Sequence, residues 1–423
     1  MEQKANRYFY SVAIIGTLFF VFGFVTWLNG TLIPFLKLAC DLKTDAQALL
    51  VTFAFYMAYF FLAIPSSFIL GKTGFKKGMA LGLVVMSLGA LLFIPAAHSR
   101  SFVLFLIGLF VQGMGLSLLQ TASNPYISIL GPLESAAKRI SIMGICNKVA
   151  GALSPMILSA VVLSGASEVE SEIMKATDMV VREQLLDDLA MRIVLPYVLM
   201  AIALVLLALM IWFSSLPEIE REDTSVADAP TTKTSIFEFP HLLLGAICIF
   251  VYVGAEVMAG DVIGPYGKGL GLSLDETKNF TSYTLWSMVV GYLIGIFTIP
   301  RYLKQERALV YSALTGIVFS TIAYATSGYV SILFIALLGL ANALMWPAIF
   351  PLAIDGLGRF TKMGSALLIM GIAGGAIIPQ LYGYLTRPDG LALSSQSAFF
   401  WCVLPCYLFI LYYAIRGYKI RKA

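Results

Sequence analysis

Three charged side chains lie inside long apolar stretches of this 423-residue chain. Lys148 lies in the segment GICNKVAGALSP, and Glu256 and Asp261 lie in YVGAEVMAGDVIGP. A charge at the centre of a membrane span costs about 2.5–3.5 kcal/mol on insertion scales, and such residues usually serve a function. A buried carboxylate without a partner binds a proton or attracts a cation, whereas one beside an ammonium group forms an ion pair. We therefore interpret these residues as candidates for cation binding, with a purely structural ion pair as the alternative.

Uncharged polar and aromatic side chains lie at similar depth in the apolar stretches. Amides donate and accept hydrogen bonds together, which suits a polyol, and aromatic rings stack on the apolar C–H faces of sugar rings. The amide candidates are Asn29, Gln120, Asn124, Asn147, Asn342 and Gln380. The aromatic candidates are Trp27, Tyr56, Tyr59, Tyr252, Trp286 and Trp346. Hydrogen bonding between neighbouring helices is the alternative for the amides, and packing is the alternative for the rings.

The sequence has no other constellation typical of an active site. His98 and His241 are the only histidines, and the five cysteines form no CxxC pair. No GxxxxGK[ST] phosphate-binding loop occurs, so the chain has no sequence signature for hydrolysing ATP. We predict neither an enzyme nor a cofactor, disulfide framework or structural metal site.

The composition indicates a membrane protein. Hydrophobic residues make up 59% of the chain and charged residues 12%, with a mean hydropathy of +0.87. Soluble domains carry about 25% charged residues, so we expect the lipid bilayer to be the solvent of this chain. The net charge of +4 is small and scattered, and it does not favour nucleic acid as a partner.

Twelve apolar runs are long enough to cross a membrane, which takes about 20 residues. They are 9–36, 47–71, 77–97, 101–130, 139–165, 193–215, 240–266, 277–299, 308–326, 329–357, 363–385 and 396–415. Of the 28 Lys and Arg residues, 18 lie on the side of the two termini, 9 lie on the other side and one, Lys148, lies within a span. Basic residues accumulate in cytoplasmic loops, so this bias predicts that both termini are cytoplasmic.

A polar segment near the middle divides the chain. We predict a six-helix bundle over 1–215, a cytoplasmic linker over 216–239 and a second six-helix bundle over 240–423. Prolines recur at near-constant separations of 231, 222 and 224 residues. The pairs are Pro34 with Pro265, Pro125 with Pro347, and Pro155 with Pro379. This spacing indicates a duplicated unit, and matched Gly and Pro interruptions in two halves point to a central transport site.

Several segments, in order along nearly the whole chain, are similar to a known family. LNGTLIPFL (28–36), LLQTASNPYISILGP (118–132) and VYVGAEV (251–257) resemble signatures of helices 1, 4 and 7 in the fucose/glucose/galactose permease branch of the major facilitator superfamily. The resemblance implies an all-α membrane protein with two six-helix bundles related by a pseudo-two-fold repeat. It also implies a sugar site at the midplane and alternating access driven by a cation gradient.

The chain departs from the proton-coupled fucose permeases of this branch at two acidic positions. Those proteins have Asp where this chain has Gly30 and Glu where it has Gln120, so a proton carrier at these two positions is lost. Glu256 stands where the fucose type has Gln. In these respects the chain is more similar to the sodium-coupled glucose transporters of the branch.

We therefore expect a multi-pass inner-membrane symporter, active as a monomer, that imports a glucose- or galactose-like hexose, with Na⁺ favoured over H⁺. The expected sugar-binding residues are Asn29, Gln120, Asn124, Asn147, Tyr56, Tyr252, Glu256 and Trp346. Coupling is assigned to Glu256, Lys148 and Asp261, with Glu256 and Asp261 as ligands of Na⁺. The alternatives are H⁺-coupled transport of another sugar, such as fucose or an amino sugar, and a sugar sensor without flux.

Four basic residues are predicted to form a cytoplasmic gate: Lys72, Lys76, Lys77 and Arg139. We expect them to hold the outward-open state through ion pairs or contacts with helix C-termini. The alternative is that they only anchor the loops on the cytoplasmic side.

Overall fold

The computed structural model describes residues 2–129, 136–214, 216, 235–299 and 302–420. Within these ranges the side chains of 2–9, 124–125, 128–129, 136–141, 359 and 361–362 are not described. The described residues form twenty α-helices joined by short turns and 3₁₀ segments, and they contain no strand. The prediction of an all-α protein is therefore confirmed.

Ten helices precede the central segment and ten follow it. The first ten are α1 Glu2–Trp27, α2 Asn29–Ala39, α3 Asp45–Ala48, α4 Leu50–Leu91, α5 Phe93–His98, α6 Phe102–Ile129, α7 Ala136–Val162, α8 Ala166–Lys175, α9 Met179–Met191 and α10 Val194–Phe213. The second ten are α11 Pro240–Gly260, α12 Ile263–Gly269, α13 Leu274–Thr277, α14 Phe280–Thr298, α15 Gln305–Ala325, α16 Gly328–Asn342, α17 Met345–Ile354, α18 Thr361–Met370, α19 Gly374–Thr386 and α20 Ser395–Ile415. Most of the predicted linker 216–239 lies outside the described residues, so the domain boundaries stay a prediction.

Eleven stretches of the described chain are long and apolar enough to cross a membrane. The difference from the twelve predicted spans arises in one stretch, Asp45–His98, which has 54 residues and contains both 47–71 and 77–97. Gly74 breaks α4 between these two spans, because its φ of 75° is not helical. Glycine adopts this left-handed conformation without steric strain, so the two apolar runs form separate arms on either side of Gly74.

Two spans are interrupted at corresponding places. The first breaks between α1 and α2 at Leu28, and the seventh breaks between α11 and α12 at Asp261–Val262. Each break precedes a proline, Pro34 in α2 and Pro265 in α12. Proline has no N–H to donate, and its ring displaces the carbonyl four residues earlier. Those carbonyls belong to Gly30, which lies inside α2 two residues after the first break, and to Asp261, which lies at the second break. Pro265 therefore accounts for the second break, whereas Pro34 only removes a hydrogen bond close to the first.

Two threonine hydroxyls compensate the backbone at the second break. Thr281 Oγ1 donates to the carbonyl of Gly260 at 2.7 Å, and Thr284 Oγ1 donates to that of Ala259 at 2.8 Å. Carbonyls released from a helix inside a membrane need such partners, since lipid offers none. The hydroxyls on α14 therefore stabilise an open end of α11 in the protein interior.

The two halves pack against each other along two seams. α7 lies against α14, and α4 lies against α18 and α19. Glycines permit the close approach, since a Cβ on Gly144 of α7 would lie 3.0 Å from the ring of Tyr292 on α14. At the second seam, a Cβ on Gly375 of α19 would lie 3.1 Å from the ring of Tyr56 on α4. Small residues at helix interfaces are typical of membrane bundles.

Candidate functional site

A buried ion pair joins the two halves. Lys148 Nζ on α7 lies 2.7 Å from Glu256 Oε1 on α11, and the side chains are 10% and 9% exposed. Removing one partner of such a pair leaves an uncompensated buried charge and typically destabilises a protein by about 3–5 kcal/mol. The structure thus brings together the two charges that the sequence analysis placed at similar depth in opposite halves.

The ring of Trp27 covers the ammonium group of this pair. Lys148 Nζ lies 4.6 Å from the ring centroid, a distance at which a cation is attracted to the face of an aromatic ring. The ring fits between Gly151 on α7 and Gly260 on α11, where an added Cβ would lie 2.4 and 2.3 Å from its atoms. Trp27 therefore fixes Lys148 and contacts both halves at the end of α1.

Asp261 lies at the break of the seventh span and is fully buried. Neither of its carboxylate oxygens has a side-chain hydrogen-bond or ion-pair partner in the described part of the chain. The groups that face it are the backbone N–H of Gly30, the carboxylate of Glu256 and the ammonium of Lys148. The hydroxyl of Tyr56 on α4 faces it as well.

The four amide side chains predicted for the sugar site in the first half have different surroundings in the structure. Gln120 Nε2 donates to Tyr59 Oη at 3.1 Å, so it lies at the aromatic cluster of α4. Asn29 is fully buried beside Tyr56. Asn147 instead donates through Nδ2 to the carbonyl of Phe19 at 3.3 Å, which links α7 to α1. The side chain of Asn124 lies outside the described residues.

The second half contributes aromatic rings to the same region. Tyr252 lies beside Glu256, one turn earlier on α11, and its ring centroid lies 6.4 Å from that of Trp346 on α17. The hydroxyl of Tyr407 donates to Asn342 Oδ1 at 3.0 Å. Trp286, by contrast, is 41% exposed on α14 and does not belong to this cluster.

The sequence analysis missed several groups around the pair. Tyr292 and Tyr407 both lie close enough to Glu256 to interact with its charge. The Gly30 N–H faces Asp261. Nothing in the local sequence marks these tyrosines among the 20 in the chain. Pro265 could have predicted the break, because it displaces the carbonyl of Asp261, four residues earlier.

Of the four predicted gate residues, Lys76 contacts its own half of the molecule rather than the other half. Lys76 Nζ donates to the carbonyl of Ser214 at 2.6 Å, and Ser214 caps the C-terminus of α10 in the same half. A cation is favourable at a helix C-terminus. Lys72 and Lys77 flank the break at Gly74, and the side chain of Arg139 lies outside the described residues. The gate therefore stays a prediction.

An apolar groove of about 420 Å³ opens between α1, α7 and α10 in the first half. Its walls are aliphatic and aromatic, and they include Phe24, Leu158 and Leu204. The hydroxyl of Tyr197 is the one side-chain polar group in this lining. A sugar needs several hydrogen-bonding partners, so this groove does not suit it.

Comparison with known proteins identifies the family. The profile of the Major Facilitator Superfamily matches residues 15–379. The chain belongs to this superfamily. A glucose/galactose transporter of Brucella abortus is 34% identical over 420 residues, which cover 99% of this chain and 96% of that protein. A putative glucose/galactose transporter of Helicobacter pylori is 33% identical, with 99% of both chains covered.

The fold is similar to that of a solved crystal structure. The crystal structure of the Escherichia coli fucose:proton symporter FucP superposes with a TM-score of 0.74 at 25% identity, covering 96% of this chain and 98% of that one. The predicted superfamily fold is thereby confirmed. The relatives are transporters, which confirms the prediction of a membrane transporter rather than an enzyme.

Proposed function

We propose that the chain imports a glucose- or galactose-like hexose by cation symport with alternating access. The proposal is supported by two relatives that match the chain from end to end and carry the name glucose/galactose transporter. It is also supported by a buried cluster of charged, amide and aromatic side chains where the halves meet. A polyol can bond with such groups in both halves at once.

The observation that carries the proposal is the Lys148–Glu256 ion pair. It joins α7 to α11, so it can persist only while these helices lie close together at this depth. A substrate hydroxyl or a change in the charge of a nearby carboxyl would alter the free energy of the closed arrangement. Coupling between two sites requires such a dependence of one binding event on the other.

The coupling cation in this proposal is H⁺, although the sequence analysis favoured Na⁺. An alkali cation is held by oxygen ligands that replace its hydration shell. The carboxylates of Glu256 and Asp261 are faced by two donors without oxygen atoms, the Lys148 ammonium and the Gly30 N–H, and by the Tyr56 hydroxyl.

The sugar in this proposal lies between the amides of the first half and the aromatic rings of the second. Gln120 and Asn29 lie beside Tyr59 and Tyr56 on one side. Tyr252 and Trp346 lie together on the other. Asn124 and Asn147 remain candidates, and Asn147 would have to release its bond to Phe19 in order to reach a substrate.

The placement in the cell is part of the proposal. The superfamily fold and the apolar spans establish a multi-pass membrane protein. The bias of Lys and Arg toward the side of the termini supports cytoplasmic termini in the inner membrane. We further propose that the monomer is the functional unit, since each chain contains both halves of the site.

Counterflow in proteoliposomes tests the proposed function. Vesicles loaded with unlabelled glucose, galactose, fucose or an amino sugar are diluted into a trace of labelled glucose or galactose. We expect transient accumulation of label in vesicles loaded with glucose or galactose and none in empty liposomes. Sugar binding to the purified protein without counterflow would indicate a sensor. Counterflow of labelled fucose or a labelled amino sugar, with none of labelled glucose or galactose, would replace the hexose in the proposal.

A further inference from the structure

We propose that Asp261 is the carboxyl group that binds and releases the coupled proton, and that the Lys148–Glu256 pair is not itself the carrier. This inference rests on the proposed function and assigns its cation site. It starts from the charges of the cluster, which among the described side chains are two carboxylates and one ammonium group. Glu256 and Lys148 pair with each other at 2.7 Å, so one acid is left without a counter-charge.

That acid is Asp261, whose side chain is fully buried. The groups facing it come from four helices. They are Glu256 on α11, Lys148 on α7, the hydroxyl of Tyr56 on α4 and the backbone N–H of Gly30 on α2. The one ammonium among them is held by Glu256. An ionised carboxylate in the interior needs a partner, and without one it takes up a proton.

The position of Asp261 in the internal repeat supports the same assignment. Asp261 lies four residues before Pro265, as Gly30 lies four residues before Pro34. The two residues are thus equivalent in the duplicated unit, and in the structure they face each other where the two broken spans meet. One half contributes a carboxyl at this place and the other contributes a backbone N–H.

The first half has no space for a carboxyl here. A Cβ on Gly30 would lie 2.1 Å from Thr281 Oγ1 and 2.9 Å from Thr281 Cβ. Thr281 is itself fixed by its bond to the Gly260 carbonyl at 2.7 Å. The residues around the paired breaks therefore accommodate one acidic side chain, and in this chain the second half supplies it.

The resulting cycle needs no group other than those described. Asp261 takes a proton from water on the side from which sugar enters, and its neutral form is compatible with the closed arrangement in which Lys148 pairs with Glu256. When the halves separate on the other side, water reaches Asp261 and hydrates its ionised carboxylate, which no longer has to stay neutral. The proton then leaves to water on that side. One proton is bound and one is released for each sugar.

The experiment compares wild type with Asp261→Asn, which removes the titratable group and keeps the shape. Glu306→Gln, at the start of α15 and away from the cluster, is the matched control. Counterflow is expected to persist in Asp261→Asn, while accumulation under a pH gradient falls to a ratio of about 1, because an uncoupled carrier only equilibrates sugar. Glu306→Gln should behave as wild type in both assays.

Infrared spectroscopy tests the protonation of Asp261 without measuring sugar transport. The infrared carbonyl band of a protonated carboxylic acid should be present in purified wild type at neutral pH, absent in Asp261→Asn and retained in Asp261→Glu and Glu306→Gln. Concentrative uptake by Asp261→Asn, or an unchanged infrared band in that variant, would overturn the inference and leave the proposed function intact. Absence of counterflow in wild type would overturn the proposed function, whatever the infrared result.

Discussion

Gln120 on α6 provides the most direct test of the sugar site at the scale of a residue. Its amide donates to Tyr59 Oη, and the side chain is partly exposed. A buried partner left unpaired costs about 1–3 kcal/mol. Gln120→Ala should therefore weaken hexose binding about tenfold or more, as measured by isothermal titration of the purified protein.

The control for this variant lies on the same helix. Gln112 packs against Gly89 within the first half, so Gln112→Ala should leave the affinity for sugar unchanged. If Gln120→Ala combined with Asn124→Ala binds hexose as tightly as wild type, these amides do not belong to the site.

The ion pair makes a second prediction at this scale. Lys148→Met and Glu256→Gln each remove one partner of the buried pair, which typically costs about 3–5 kcal/mol, whereas removing both charges avoids that penalty. The double variant should therefore unfold at a higher temperature than either single variant in detergent. Strictly additive losses in the three variants would show that the two side chains do not interact.

The same variants bear on coupling. In Glu256→Gln the Lys148 ammonium loses its partner, and the remaining carboxylate that faces it is Asp261. Because an ammonium group keeps a nearby carboxyl ionised, Asp261 should no longer take up a proton. We expect this variant to lose concentrative uptake and to keep some sugar exchange. Continued accumulation in Glu256→Gln would show that the pair has no part in coupling.

At the scale of elements, the helical hairpin α8–α9 bridges the two halves at the end opposite the termini. Arg182 of the hairpin pairs with Asp41 after α2 at 2.8 Å, within the first half. Across the halves, Glu170 pairs with Lys268 at 2.7 Å. Ser167 and Asp275 also exchange two hydrogen bonds of 3.2 Å. The hairpin therefore holds this end closed in the present arrangement.

A charge exchange tests the role of the hairpin. Glu170→Lys places two like charges together and should favour separation at this end, whereas Glu170→Lys with Lys268→Glu should restore the closed state. The pair is about one-third exposed, so its worth is about 1 kcal/mol or less. The expected shift in population is therefore modest, and spin-label distances across this end should report it.

The neighbouring acid provides the matched control for that exchange. Glu172 is exposed on the same helix, and Glu172→Lys should leave the distances unchanged. An equal shift in Glu172→Lys would mean that net charge, rather than the Glu170–Lys268 pair, determines the distances.

The helices also show which features of the fold could be predicted from the sequence. Hydropathy predicts the spans because lipid requires about 20 apolar residues for each crossing. The same signal placed the break of α4 between residues 71 and 77, and the non-helical φ of Gly74 lies inside that interval. The proline of GDVIGP does predict the break at Asp261, since proline acts on a fixed carbonyl four residues earlier, whereas the break at Leu28 lies two residues before the carbonyl on which Pro34 acts.

Single side chains were harder to predict than spans. An ion pair was the alternative interpretation of the charged residues in the spans, because buried opposite charges are costly apart, but the sequence did not specify the contact of Lys148 with Glu256. The bond of Lys76 to Ser214 and that of Asn147 to Phe19 could not be foreseen. Both depend on how far one helix slides along another, and hydropathy does not encode that displacement.

At the scale of the whole molecule, the duplication that produces the fold also produces the site. A duplicated unit places two broken spans face to face, and the breaks bring Gly30 and Asp261 together. The remainder of each half is apolar and supports these ends through glycine contacts such as Gly144 with Tyr292. Motion of one half against the other would therefore act on Lys148, Glu256 and Asp261 as well as on the Glu170–Lys268 pair.

Sugar uptake by wild-type proteoliposomes in sodium-free buffer tests proton-coupled hexose symport most directly. With the interior more alkaline than the exterior, labelled glucose or galactose should accumulate above the external concentration, and a protonophore should abolish the accumulation. An added sodium gradient should not increase it. Accumulation that requires a sodium gradient and is indifferent to the pH gradient would contradict the proposed proton coupling and restore the Na⁺ assignment favoured by the sequence.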